Sequence, residues 1–195
     1  MMLPEGRREY FEHLYEHDPD PWGFETRWYE QRKYALTVAA LPEPRYRSAF
    51  EPGCSVGVLT ELLAARCDAL LATDIVPVAL ERATARLAPL PHVRVELRAV
   101  PEDWPEGPFD LVVLSEVAYY LPGPALELLV DRAVRSMDPG GVLEAVHWRR
   151  DTGYALSAQA AHALIASGSA RLAPVGHYED DDFILDVWRL GEPPR

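Results

Sequence analysis

The run Phe50-Glu51-Pro52-Gly53-Cys54-Ser55-Val56-Gly57-Val58 has residue types and spacing suited to holding a ligand. Gly53 and Gly57 lack a Cβ, so the chain can turn tightly and approach a bound molecule closely. A dinucleotide fingerprint starting at Gly53 would need glycines at 55 and 58, where Ser55 and Val58 stand. No Gly-Lys-Ser/Thr follows either, so the phosphate-loop pattern fails. Asp74 comes 21 residues after Gly53 and ends the apolar run Ala69–Thr73. An acid in that position can accept hydrogen bonds from both hydroxyls of a ribose, and it can also cap the helix that follows. A glycine turn without a diphosphate cradle, followed by a ribose-reading acid, points to a nucleoside ligand lacking phosphates. S-adenosylmethionine (SAM) fits that description.

Other chemistry-bearing residues carry two readings each. His147 ends an apolar run on the edge that bears the glycine turn, which makes it a candidate general base. It reads equally as a satisfied structural histidine beside Trp148. Cys54 and Cys67 have no metal-ligand spacing and no partner base, so both read as packing residues. Trp22, Trp28 and Tyr29 either dock the N-terminal helices on the sheet, the favoured role for Trp28, or lie near the cofactor as part of a lid, the favoured role for Trp22 and Tyr29. Lys33 is either a solvated helix charge or the partner of the SAM carboxylate. Glu179–Asp182 reads as a solvated hairpin loop.

The elements that must position these residues alternate in type. A short amphipathic helix is expected within residues 4–21 and a second over Tyr29–Leu41, stopped by Pro42 and Pro44. Strands are expected at Ala49-Phe50, Ala69–Thr73, Val93–Leu97, Phe109–Ser115, Val142–Trp148, Arg171–His177 and Phe183–Leu190. Helices are expected at Val58–Arg66, Val76–Leu87, Pro124–Met137 and Ser157–Ala166. This alternation predicts an α/β, Rossmann-like, seven-stranded and mostly parallel sheet with helices on both faces and an N-terminal helical extension. Leu111-Val112-Val113-Leu114 is apolar without alternation, as a central strand buried on both faces should be.

A length of 195 residues suits one domain, read as an N-terminal helical lid over residues 1–45 and a core over 46–195. The charge of −12, without a long Lys/Arg run, disfavours a nucleic-acid partner. No apolar run reaches the ~18 residues of a membrane span, and no signal peptide is recognisable, so a cytoplasmic protein is expected.

The motifs together resemble a known family. Glu51-x-Gly53-Cys54-Ser55-x-Gly57 is similar to motif I of class I SAM-dependent methyltransferases, and Thr73-Asp74-Ile75 to their second motif. Phe109–Leu121 resembles the fourth-strand motif of the nodulation protein S (NodS) branch, and Asp138-Pro139-Gly140-Gly141 the lead-in to the fifth strand. Asp20–Glu25 and Tyr29-Glu30-x-x-Lys33-Tyr34 also resemble that branch, and the match is collinear over about residues 10–150.

The resemblance implies that Glu51, Gly53, Cys54, Ser55 and Gly57 line the methionine and ribose parts of SAM. It implies that Asp74 holds the ribose, that Ile75 packs on the adenine, and that Ser115 and Glu116 face the methionine end and the substrate. Many relatives place an acid after the third strand to read the adenine amino group, but Ala99 stands there. The Val100 backbone or Glu102 is expected to substitute. Methyl transfer needs alignment more than a catalytic dyad, with Glu116 or His147 as the candidate acceptor of an amine's proton. The expected acceptor is the N or O of a small molecule or amino sugar, with S-adenosylhomocysteine (SAH) as product. Acceptor choice is expected to lie in the N-terminal helices, Ser115–Leu121 and the stretch after His147. The competing readings are a non-catalytic SAM-binding module and a nicotinamide-dependent oxidoreductase. Oligomeric state is not legible.

Overall fold

The computed structural model describes residues 7–150 and 153–192; the start of the first expected helix, residues 4–6, lies outside them. The chain runs α1 (Arg7–His17), α2 (Trp28–Ala40), β1 (Ala49–Pro52), α3 (Val58–Ala64), β2 (Leu70–Asp74), α4 (Pro77–Leu87), β3 (Val93–Leu97) and β4 (Phe109–Ser115). A short 3-10 turn (Ala118–Tyr120) leads into α5 (Gly123–Ser136), β5 (Met137–Trp148), α6 (Ala158–Ser167), β6 (Leu172–Glu179) and β7 (Phe183–Leu190). Seven strands form one sheet in the order β3-β2-β1-β4-β5-β7-β6. β7 is antiparallel to both of its neighbours, whereas the pairings among β1 to β5 are parallel.

Burial on both faces accounts for β4. Val112 and Leu114 pack with Leu126, Leu129 and Val130 of α5 on one side. Leu111 and Val113 pack with Leu59 and Leu63 of α3 and Tyr34 of α2 on the other. Because successive strand residues point to opposite faces, an unbroken apolar run is what this position requires. The buried residues of α5 recur at three- and four-residue spacing, giving one apolar stripe towards the sheet. Pro77 opens α4 and the Ser157 hydroxyl caps α6 by accepting from the Ala160 N–H at 3.1 Å.

Two expectations change. β5 begins at Met137 rather than Val142, because Met137 already pairs with Phe109 before the register shifts at Leu111. Trp28 is 73% exposed at the start of α2, so it docks nothing. Among the described residues, no helix is long and apolar enough to cross a membrane.

Candidate cofactor and acceptor site

The strand ends β1, β2 and β4 and the N-terminal helices enclose a cavity of about 470 Å³. Its floor is the turn after β1, where Gly53, Ser55 and Gly57 take φ values of +75°, +52° and +81°. The Gly53 and Cys54 N–H groups both donate to the Thr73 carbonyl, at 2.6 and 2.9 Å, which ties this turn to the end of β2. A Cβ at Gly53 would sit 2.4 Å from Cγ2 of Val117. A Cβ at Gly57 would press on Ala83 and Leu87 at 3.2–3.3 Å, so Gly57 serves the packing of α3 on α4.

Asp74 ends β2 at the cavity wall, accepting from the Ser55 N–H at 2.9 Å and the Val76 N–H at 3.0 Å. It therefore holds both the glycine turn and the start of α4. Burial raises its pKa, and the N–H groups of Ser55, Val76 and Ile75 oppose that rise. Glu51, at the end of β1, is buried on the same wall, and its Oε2 has no hydrogen-bond partner among the described residues. Burial pushes this carboxyl up to about 7. A buried carboxyl oxygen without a partner is costly by itself and is well matched to a cationic ligand group.

Glu116 follows β4 with a φ of +55° and forms the opposite wall. Its Oε1 accepts from Lys33 Nζ at 2.7 Å and the Tyr29 hydroxyl at 3.0 Å. Its Oε2 accepts from the Trp148 N–H at 3.0 Å and from the Tyr119 hydroxyl. Desolvation raises its pKa, but the Lys33 ammonium, His147 and the Trp148 N–H outweigh that and bring it to about 2. A carboxylate so held is ionised near neutrality and is a weaker base than a free one, which counts against the general-base reading of Glu116.

The remaining expected residues divide between wall and interior. Trp22, Tyr29, Cys54, Ser55, Ile75, Val100 and Ser115 line the cavity. Lys33 does not: it is fully buried behind Glu116, with its ammonium 2.8 Å from Glu30 and 2.7 Å from Glu116, and is no partner for a ligand carboxylate. Glu102 is exposed and away from the wall, so only Val100 of the two adenine-side candidates borders the cavity. His147 is also off the wall. Its Nε2 accepts from the Ala118 N–H and its Nδ1 meets His162, each at 2.9 Å, so its structural reading replaces the catalytic one.

Several cavity residues were not singled out from the sequence. Phe11 and Tyr15 of α1 form part of the cover, with Phe11 4.9 Å from the Tyr120 ring and Tyr15 hydrogen-bonded to Ser55 Oγ. Their i, i+4 spacing is the signal that marks one helix face. Trp148 and Tyr154, in the stretch after His147, line the cavity together with Tyr119 and Tyr120. Arg27 and Arg98 reach the cavity, and no local pattern distinguishes them from other surface arginines.

This strand order and the Gly53–Asp74 cradle define the fold of the class I SAM-dependent methyltransferases. The sequence profile described as nodulation protein S (NodS) matches residues 4–136. The chain belongs to the NodS family. Nodulation protein S of Rhizobium tropici is 33% identical over 126 residues, covering 64% of this chain and 53% of the relative. The chain spans about half the length of the curated relatives it matches, 53, 49 and 57% of each. Among solved structures, N-methyltransferase NodS from Bradyrhizobium japonicum WM9, in complex with SAH, aligns with a TM-score of 0.86 at 25% identity. That alignment covers 95% of this chain and 98% of the other. A candidate methyltransferase from Pseudomonas syringae is 46% identical, with a TM-score of 0.75 over 84% of this chain and 99% of that one.

Proposed function

We propose that the chain is a SAM-dependent N-methyltransferase whose acceptor is a small molecule or amino sugar bearing an amine. The observation that carries this reading is the pair of acids at successive strand ends, Glu51 and Asp74, facing one cavity above the Gly53 turn. The related NodS structure holds SAH, the spent form of the cofactor. In this reading Asp74 accepts from the two ribose hydroxyls, Ile75 and Val100 flank the adenine, and Glu51 meets the amino group of the methionine moiety.

When bound, the cofactor supplies a methyl group on sulfonium and its own leaving group. The protein's share is alignment and exclusion of water. Phe11 and Tyr15 of α1, with Trp22 in the segment after it, cover the cofactor side of the cavity. Tyr29, Tyr119, Tyr120, Trp148 and Tyr154 give the acceptor side aromatic walls around the fixed charge of Glu116. Such walls suit a sugar ring or the apolar body of an amine, and the carboxylate draws the amine end inward. The amine attacks in its neutral form, so it must lose its proton before the methyl group is transferred.

Calorimetric titration with SAH and with NAD, followed by labelled methyl transfer from SAM to a panel of amines and aminoglycans, tests the reading. Binding of SAH and transfer to an amine are expected. Binding of NAD without SAH would establish the oxidoreductase reading instead, and SAH binding without turnover on any acceptor would favour the non-catalytic module.

A further inference from the structure

Behind the acceptor wall four polar groups stand in line. The Ala118 N–H can only donate, so the His147 Nε2 that receives it at 2.9 Å is unprotonated. His147 Nδ1 must then carry the ring proton and donate to His162 Nε2 at 2.9 Å. His162 is thereby protonated on Nδ1, which donates to Asp186 Oδ2 at 2.6 Å. His177 Nδ1 meets the other oxygen of Asp186 at 2.7 Å. One carboxylate on β7 thus fixes the tautomer of an imidazole on α6, and through it that of an imidazole on β5.

The end of this line is the acceptor side of the cavity. Ala118 begins the 3-10 turn that carries Tyr119 and Tyr120. The Tyr119 hydroxyl donates to Glu116, the Tyr119 carbonyl accepts from the Leu156 N–H at 3.1 Å, and Tyr120 supports Phe11 of the cover. We propose that Asp186, His162 and His147 are positioning residues that set the Ala118–Tyr120 turn for acceptor binding. What the turn does in turnover rests on the methyltransferase reading; the tautomer assignment stands without it.

The groups around His147 favour its neutral form. Burial and His162 of α6 hold its pKa well below the usual imidazole range, Glu116 after β4 acts in the opposite sense, and Lys33 of α2 lowers it further. Asp186 of β7 lies one imidazole away, with His177 of β6 beyond it, and the Tyr119 ring stands 5.0 Å from the imidazole. A proton added at His147 turns its acceptor nitrogen into a donor. His147 Nε2–H would then face the Ala118 N–H, and the turn would lose its anchor.

Nitrogen-15 NMR of the histidine rings in the wild-type protein tests the assignment. A single Nδ1–H tautomer is expected for both His147 and His162, and a proton on His147 Nε2 at neutral pH would overturn the proposal. Asp186→Ala and His162→Phe are expected to raise the acceptor KM roughly tenfold, the size of one lost hydrogen bond. They should hasten exchange of the Ala118 amide and leave SAH affinity within about twofold. His147→Gln offers Ala118 an oxygen that does not titrate. It should keep the neutral-pH KM and remove the rise in acceptor KM on the acid side. Unchanged KM and unchanged amide exchange in the Asp186 and His162 variants would also overturn the proposal. Failure of wild type to bind SAH would instead overturn the methyltransferase reading while leaving the tautomer result intact.

Discussion

Lys33 Nζ lies 2.7 Å from Glu116 Oε1, with the ammonium sealed from solvent and the carboxylate forming part of the cavity wall. The two residues come from α2 and from the end of β4, so this contact joins the N-terminal segment to the centre of the sheet. Glu30, 2.8 Å from the same ammonium, completes a buried triad.

Lys33→Met removes the cation and leaves two buried carboxyls facing each other. Breaking such a pair costs about 3–5 kcal/mol. Chemical denaturation should show a loss in that range, and a loss under about 1 kcal/mol would show the triad to be weakly coupled.

Glu116 also sets an acid limb of stability. Its folded pKa, about 2, lies below the ordinary 4.5, so its contribution is present above 4.5 and fades as pH falls towards 2. Denaturation followed across that window should show stability declining, and Glu116→Gln should flatten the Glu116 share of the decline.

Glu51 behaves in the opposite sense. With a folded pKa of about 7 against 4.5, it favours the ligand-free fold at low pH and loses that contribution as pH rises through about 7. A cationic ligand group beside it stabilises the carboxylate, so SAH binding near pH 6.5 should release protons. Calorimetry in buffers of different ionisation enthalpy measures this. Glu51→Gln should abolish the release, raise the melting temperature of the free protein at pH 8 and weaken SAH.

Gly53→Ala combines a positive φ with a Cβ 2.4 Å from Val117 Cγ2. The conformation alone costs about 1–2 kcal/mol for a residue with a Cβ. SAH affinity and melting temperature should both fall, and Val117→Ala in the same chain should restore part of the loss. Full restoration would mean that the clash, not the backbone conformation, was the whole penalty.

Tyr15→Phe removes the hydroxyl contact between α1 and Ser55 while keeping the ring. One hydrogen bond corresponds to about 1 kcal/mol, so the melting temperature should fall by roughly 2–4 °C, and SAM affinity should fall as well where the contact helps to hold the cofactor. An unaltered affinity would place the cover's grip in its aromatic contacts alone.

The legible parts of this site are those written in short local patterns. Glu51, Gly53, Ser55 and Asp74 sit at strand ends, where the type of the residue and its distance from an apolar run declare its place. Lys33, Glu116 and His147 are different, because their roles depend on partners 83 and 29 residues away in the chain. A lysine on a helix looks solvated until the element opposite it is known. His147 looked like a base because its strand end was readable, while the Ala118 N–H and His162 that occupy its two nitrogens were not. Trp28 misled for the reverse reason: a tryptophan suggests burial, yet its position at the first turn of α2 points it outwards.

The two N-terminal helices grip the sheet by different physics. α2 is held through buried ions as well as through the apolar packing of Tyr34, whereas α1 rests on the aromatic contacts of Phe11 and Tyr15 and one hydroxyl pair. Apolar contacts weaken on cooling and strengthen in sulfate, while a buried ion pair is little screened by salt. Temperature and salting-out therefore act more strongly on the α1 cover than on α2. Cold should loosen α1 over the cavity before it loosens the protein.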